Sequence, residues 1–266
     1  MRPELFQLYG VPVYAYRTLL AMAFVVCTLL TVRASRRRPG GIELSPIIGI
    51  WAMLGSLVGA HAFYIVQYGN ARDLWRAFFV WEGGLVFYGG LIGGLGAAGA
   101  YLAIVKVPFL NAADSAAPYL ALGESITRIG CLLNGCCWGA ACHLPWAITF
   151  PAHSPAFDAQ VAAGQLASTA EHALPVHPTQ LYMLFGLVAV AIVLVRALVR
   201  ERPAGVVFFG YVLLYGVLRF LVELVRGDSA RSVAGLTVSG AISAAFVALG
   251  IAACTYLMRR PRSLPE

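Results

Sequence analysis

Arg128 and Arg219 stand where an apolar chain has least use for a charge. Arg128 lies in ESITRIGCLLNGCCWG (residues 124–139) and Arg219 in YGVLRFLVELVRGD (residues 215–228), both within stretches apolar enough to cross a bilayer; Arg17 sits at the edge of a third. A guanidinium group at bilayer depth costs at least ~2.5–3.5 kcal/mol on insertion scales, so each of these residues needs a partner. Internal ion pairing is one answer: Glu124 with Arg128, and Arg219 with Glu223, are spaced i,i+4, and Arg226 follows one turn later. The other is convergence of Arg128 and Arg219 on an anion, most naturally a phosphate, which a planar guanidinium grips bidentately. Within a membrane the abundant phosphate is a phospholipid headgroup. Residue types and spacing support both answers.

The same stretch holds Asn134, a candidate binding residue, and Cys131, Cys136 and Cys137, with Cys142 and His143 just beyond. Thiols and an imidazole can close a soft-metal shell. The spacing C-x4-C-C-x4-C-H is not a common zinc pattern, however, and adjacent ligands usually strain a site, so no stoichiometric metal is expected. A disulfide among Cys136, Cys137 and Cys142 suits an oxidising compartment. Packing as small polarisable residues is the simplest role. His177, in VHPTQLY, stands at the entry to an apolar run, as an interfacial or capping histidine or as part of a site on the same face as the arginines. Tyr16 and Tyr88 are by type interfacial or packing aromatics.

The elements that must position these residues are membrane helices. Hydrophobic residues make up 60% and charged residues 12% of the chain, with a mean hydropathy of +0.77, against roughly 45–50% and 25% in soluble domains. In this setting the +7 charge reports topology and not nucleic-acid binding. Apolar spans are expected at about 14–33, 45–68, 84–105, 113–135, 179–199, 205–225 and 233–257, about seven in a single 1–266 domain. The N-terminus lacks a basic region leading straight into an apolar core with a cleavage site, so the first span is expected to be retained. Arg33, Arg36, Arg37, Arg38, Lys106, Arg196, Arg200, Arg202, Arg259, Arg260 and Arg262 fall on one side of these spans, and only Arg2, Arg72, Arg76, Arg226 and Arg231 on the other. That asymmetry predicts an outside N-terminus and a cytoplasmic C-terminus. The fourth span carries Asp114, Glu124 and Arg128 and must be shielded or line a polar cavity. The third, with Gly83, Gly84, Gly89, Gly90, Gly93, Gly94 and Gly96, reads as a close-packing helix, with Gly90 and Gly94 in small-xxx-small spacing. Residues at about 136–178 form a long outer loop or small extracytoplasmic cap.

Taken in order, GGLVFYGGLIGG, DSAAPYLALGESITRIGCLLNGCCWG, LPWAITFP, HPTQLY and YGVLRFLVELVRGD resemble the bacterial phosphatidylglycerol–prolipoprotein diacylglyceryl transferase family over nearly the whole chain. The resemblance implies an all-α polytopic protein of the bacterial cytoplasmic membrane. It also implies transfer of the diacylglyceryl group from phosphatidylglycerol to the lipobox cysteine of a prolipoprotein signal peptide, with a thioether formed and glycerol phosphate released. The family's essential arginine in GR-x-G-N-F falls on Arg128, that of YG-x-x-RF on Arg219, a tyrosine early in the first span on Tyr16, and the last glycine of the signature on Gly139. The chain also departs from the pattern: the FHGG histidine is Tyr88, and the signature's glycine, asparagine and glutamate are Thr127, Cys131 and Cys136.

On this resemblance Arg128 and Arg219 bind the lipid phosphate and stabilise the leaving group. Glu124, Cys131, Asn134, Gly139, His177 and Glu223 shape the pocket. Tyr88, His177 and His61 are the candidates for proton removal, although an unperturbed phenol, with a pKa near ~10, is a poor base at neutral pH. A cationic pocket lowers an acceptor thiol's pKa without a dedicated base. The scheme calls for no cofactor and no metal. The alternatives are a transporter or lipid-binding protein that uses the same charges without chemistry, and a family member with a different acceptor or lipid donor.

Overall fold

The computed structural model describes residues 4–8, 11–37, 42–68, 71–79, 84–228 and 237–259. Arg2, Arg38, Gly83, Arg231, Arg260, Arg262 and the start of the last expected span lie outside the described residues. The chain is an all-α polytopic membrane protein, with eight α-helices among the described residues. Five are long and apolar enough to cross a bilayer: α1 (Ala15–Arg37), α2 (Ile47–Tyr68), α6 (Thr179–Leu198), α7 (Val206–Glu223) and α8 (Val238–Arg259). A shorter apolar helix, α3 (Phe87–Ile104), and a charged one, α4 (Phe109–Asn134), occupy the other two expected spans. The 26 residues of α4 rise roughly 39 Å, ample for a bilayer; its acidic and basic residues, not its length, set it apart. Large apolar side chains such as Leu29, Phe185 and Ile192 are exposed on these helices, as lipid-facing surfaces require.

Three elements depart from the expected pattern. The N-terminus forms an antiparallel hairpin, β1 (Glu4–Leu8) and β2 (Val11–Tyr14), running directly into α1. A 3-10 helix spans Ala71–Phe78, and a short helix, α5 (Pro155–Ala162), interrupts the long loop. Gly84 precedes α3 in a left-handed turn (φ 77°) and is not part of it.

The chain divides into two compact units, residues 28–115 and the combination of 1–27 with 116–266, so the boundaries fall inside α1 and α4. In the 28–115 unit, α2 and α3 meet through glycine. A Cβ at Gly93 would lie 2.9 Å from the Cα of Gly59, and one at Gly59 would run into Gly89 and Gly93. The tightest seam is therefore Gly55 and Gly59 against Gly89 and Gly93. Gly90 and Gly94 face Ser56, whose Oγ donates to the Gly90 carbonyl at 2.7 Å. Close backbone approach of this kind supplies the dispersion contact that replaces hydrophobic driving force between membrane helices.

In the other unit the segment from 136 to 178 is a small packed cap. Phe150, Ala156, Phe157, Ala173 and Val176 form its buried cluster, with Leu132, Trp138 and Ile148 against it. Bridges between Ile148 and Val176 and between Pro151 and His172 tie its strands, and Ser154 caps α5 by accepting from the Phe157 N–H at 3.2 Å.

Candidate active site

One face of α4 and one face of α7 carry the charges. On α7, Tyr211, Tyr215, Arg219 and Glu223 repeat every four residues and so share a stripe. On α4, Glu124, Arg128 and Cys131, spaced four and then three residues apart, also share a face. Arg128 pairs with Glu124, and the Tyr215 hydroxyl donates to the same carboxylate at 3.3 Å, joining the two helices. Arg219 pairs with Glu223 at 2.8 Å. The second oxygen of Glu223 accepts from Thr237 Oγ1 at 2.7 Å, and that hydroxyl in turn caps α8 by accepting from the Gly240 N–H at 3.0 Å. Arg226 lies 3.8 Å from Glu223 and makes a two-pronged bond to Asp228.

The i,i+4 ion pairs that spacing allows are thus formed, but they do not exhaust the guanidinium groups. Among the described residues, Arg128 Nε and Arg219 Nη1 are buried N–H donors with no hydrogen-bond partner. A buried donor left unmade costs about 1–3 kcal/mol, which an anionic ligand at that donor would return.

Beyond Arg128 the helix ends in a Schellman cap. Gly135 is left-handed (φ 71°), its N–H donates to the Leu132 carbonyl at 3.2 Å, and the Cys136 N–H reaches back to the Cys131 carbonyl at 3.1 Å. The cap sets Cys131 and Cys136 against one another. Cys137 is itself left-handed (φ 62°), and the Sγ atoms of Cys131, Cys136 and Cys137 all lie within 4.8 Å of one another. The Cys136 thiol donates to the Cys131 carbonyl at 3.7 Å, and Asn134 closes the helix beside it. Hydrogen bonds from the Cys131 and Cys136 thiols, with Arg226 and Arg128 close by, hold the Cys137 thiol well below the usual thiol range. All six cysteines are free, so the disulfide considered among Cys136, Cys137 and Cys142 is not formed.

The start of α6 pins this turn from behind. Thr179 Oγ1 donates to the Cys137 carbonyl at 2.5 Å and Gln180 Nε2 to the Cys136 carbonyl at 2.8 Å, both from buried side chains. Gly139 donates to the His177 carbonyl at 3.0 Å and bridges Arg226. A Cβ there would lie 2.5 Å from the Cβ of His177, which is why this position needs glycine. Trp146 Nε1 donates to the Tyr182 hydroxyl at 2.7 Å, leaving that hydroxyl's proton for His177 Nδ1 at 3.2 Å.

The structure therefore gathers Glu124, Arg128, Cys131, Asn134, Gly139, His177, Arg219 and Glu223 in one unit. Tyr16 is there as well, packed at Gly130. Tyr88 and His61 belong to the other unit, where His61 is buried with Nδ1 bonded to the Gly84 carbonyl at 3.0 Å. Sequence reasoning missed Tyr211, Tyr215, Thr179, Gln180 and the part played by Arg226. The four-residue repeat through Tyr211, Tyr215, Arg219 and Glu223 was the signal for the first two.

Comparison with known proteins gives a consistent result. The model of the prolipoprotein diacylglyceryl transferase family matches residues 3–256. A protein of Clostridium tetani named phosphatidylglycerol–prolipoprotein diacylglyceryl transferase is 30% identical over 252 residues, covering 94% of this chain and 96% of its own. Proteins of the same name from Paenarthrobacter aurescens and Geobacter sulfurreducens are each 32% identical, over 93% and 86% of this chain and 79% and 84% of theirs.

Proposed function

The chain belongs to the prolipoprotein diacylglyceryl transferase family, a transferase acting in lipoprotein biosynthesis on phosphatidylglycerol and prolipoproteins, and we propose that Arg128 and Arg219 form its phosphate clamp. The observation that carries this reading is the pair of buried guanidinium N–H groups without a partner among the described residues, Arg128 Nε and Arg219 Nη1, on two ion-paired arginines of helices joined by the Tyr215–Glu124 hydrogen bond.

Glu124 and Glu223 take part of each guanidinium's hydrogen-bonding capacity and hold it in orientation; the remaining donors serve the lipid phosphate. As the acceptor sulfur bonds to the glyceryl carbon, the carbon–oxygen bond to phosphate breaks and the electron pair leaves with glycerol phosphate. Charge on that phosphate rises during the step, so donors already aimed at it stabilise the transition state more than the ground state. Arginine suits the role because it stays protonated and does not compete for the proton of the acceptor thiol. The acceptor is the lipobox cysteine of a signal peptide, whose thiol ionises more readily beside Arg128, Arg219 and Arg226. Tyr16, packed at Gly130, is assigned a catalytic role on the family resemblance, and His177, bonded to Tyr182, a binding one. Tyr88, at the position of the family's histidine, and, on residue type, His177 and His61 are the candidate proton acceptors.

The distribution of basic residues supports placement in the bacterial cytoplasmic membrane with the N-terminus outside, so that the 136–178 cap faces the lipoprotein substrates. A reporter fused after Glu266 is expected to be active only in the cytoplasm; periplasmic activity would overturn that orientation.

The transfer reading is tested with purified protein in detergent, phosphatidylglycerol and a lipobox peptide. A diacylglyceryl peptide and one equivalent of glycerol phosphate are expected. Lipid binding without product would instead favour a non-catalytic lipid carrier, and product formed only with another phospholipid would reassign the donor.

A further inference from the structure

The transfer reading leaves one built feature without a task. Cys131, Cys136 and Cys137 converge with their sulfurs within 4.8 Å of one another. Packing alone does not call for what surrounds them: a Schellman cap, a left-handed non-glycine residue, and two buried side chains of α6 dedicated to the carbonyls of Cys136 and Cys137. A left-handed conformation at a non-glycine residue costs about 1–3 kcal/mol and persists where surrounding structure over-determines it.

We propose that Cys131, Cys136 and Cys137 form a three-thiolate site for a zinc ion, whose open fourth position receives the acceptor cysteine as a thiolate.

The geometry fits the ion. With zinc–sulfur bonds of ~2.3 Å, three sulfurs on one zinc lie ~3.8–4.0 Å apart, so the observed cluster closes by less than about 1 Å. The expected obstacle, that two consecutive residues cannot both reach one ion without strain, is met by the backbone. Consecutive side chains of an extended chain point to opposite sides, and the left-handed turn at Cys137 breaks that alternation. Cys131 and Cys136 occupy the C3 and C″ positions of the cap, which a Schellman motif brings into contact.

Charge fits as well. Zinc with three thiolates carries one net negative charge. Arg128, also paired with Glu124, lies one turn before Cys131 on α4, and the backbone of Arg226, whose guanidinium also holds Asp228, pairs with Gly139 two residues beyond Cys137, so two cations stand near the cluster. Among the described residues the cluster has three members and no fourth His, Cys, Asp or Glu. Three protein ligands and an open position are the pattern of a catalytic zinc site, whereas structural sites are closed with four.

This placement answers a chemical need. A thiol bound to zinc is deprotonated outright, which supplies the nucleophile without a strong general base at the Tyr88 position. On coordination the acceptor S–H loses its proton to solvent. The sulfur then forms the carbon–sulfur bond, the carbon–oxygen bond to phosphate breaks, and the pair departs with glycerol phosphate. The neutral thioether is a weaker ligand than a thiolate and leaves the ion, whose oxidation state never changes. The role for the acceptor rests on the transfer reading; the existence of the three-thiolate site does not.

The test uses the full chain in detergent, reduced, stripped with a chelator and titrated with cobalt(II) as a visible stand-in for zinc. One cobalt per chain is expected, with thiolate-to-metal charge-transfer absorption and the strong visible bands of four-coordinate cobalt, both displaced by zinc. Cys136→Ser and Cys137→Ser should each weaken binding by at least ~100-fold, while Cys142→Ser and Cys254→Ser leave it unchanged. Should a serine variant fail to fold, mass spectrometry of the wild type supplies the same answer: zinc must protect Cys131, Cys136 and Cys137, and not Cys254, from maleimide. A lipobox peptide should shift the visible bands, and its Cys→Ser counterpart should not. Absence of a thiolate–cobalt band, its survival in Cys136→Ser, or equal protection of Cys254 would overturn the site; bands indifferent to the peptide would overturn the fourth-ligand role. Lipid transfer by the chelated protein is measured in parallel. Full transfer without any cobalt site sinks this inference and leaves the transfer reading standing, whereas an intact cobalt site in a protein that transfers nothing does the reverse.

Discussion

The two compact units solve the problem of packing helices in a membrane by opposite means. In the 28–115 unit, α2 and α3 are brought together by what is missing, with Gly55 and Gly59 against Gly89 and Gly93 and backbone touching backbone. In the other unit, α4 and α7 are joined by what is added: Tyr215 reaches Glu124, and half-buried Arg128 and Arg219 pair with Glu124 and the buried Glu223. Glycine seams are stable because they bury no charge, and the one hydroxyl named in this seam, that of Ser56, is bonded to the Gly90 carbonyl. Buried ion pairs are no better for stability than apolar packing and often worse, so a helix face that keeps them with N–H donors to spare is built for a ligand. This contrast is physical grounds for placing the chemistry on α4, α7 and the turn after Arg128.

The sharpest way to break the contrast is to remove one charge and leave its partner. Glu223→Ala strands Arg219 and frees Thr237, and is expected to lower stability by about 3–5 kcal/mol, read as a large drop in melting temperature in detergent. An unchanged melting temperature would mean that the charges of this unit are solvated and not held. In the glycine seam, Gly93→Ala forces a Cβ to within 2.9 Å of the Gly59 Cα and should cost about 1–3 kcal/mol. Gly96→Ala, with nothing within 4 Å of its Cβ, should be neutral or slightly stabilising in the same assay. Equal effects at the two glycines would dissolve the seam. Thr237→Val removes a hydrogen bond to Glu223 and the cap of α8, and should cost about 1–2 kcal/mol. The smallest effect is expected from Tyr88→Phe. General-base catalysis contributes typically about 10²–10⁴-fold, and a fall in turnover of less than about tenfold is predicted, because the cationic arginines favour the ionised acceptor without the phenol. A loss in the full range would move proton removal to the phenol.

What the amino-acid sequence made legible follows from the range of the interactions involved. Helices α1, α2, α6, α7 and α8 are long apolar runs, and hydropathy alone finds them. The Glu124–Arg128 and Arg219–Glu223 pairs are local, fixed by i,i+4 spacing, and were visible for that reason. The second half of each contact was not. Tyr215 to Glu124 and Gln180 to Cys136 span 91 and 44 residues, and no periodicity within one segment announces them. The N-terminal hairpin was hidden because four- and five-residue strands before a helix leave too short a pattern. The cap of α4 is an instructive miss: Gly135 after a helical run is a recognisable stop, and a Schellman cap there places Cys131 against Cys136 whatever the rest of the protein does. Cys137 joins them only through a left-handed backbone that cysteine rarely adopts, which residue type gave no reason to expect.

The clamp itself is tested most directly by replacing each arginine with lysine, which keeps the charge and discards the planar fork. Arg128→Lys and Arg219→Lys, reconstituted with phosphatidylglycerol and a lipobox peptide, are each predicted to lose about 10²–10³-fold in turnover at an unchanged melting temperature. Full lipid-transfer activity in both folded variants would contradict the account and return Arg128 and Arg219 to service as structural partners of Glu124 and Glu223.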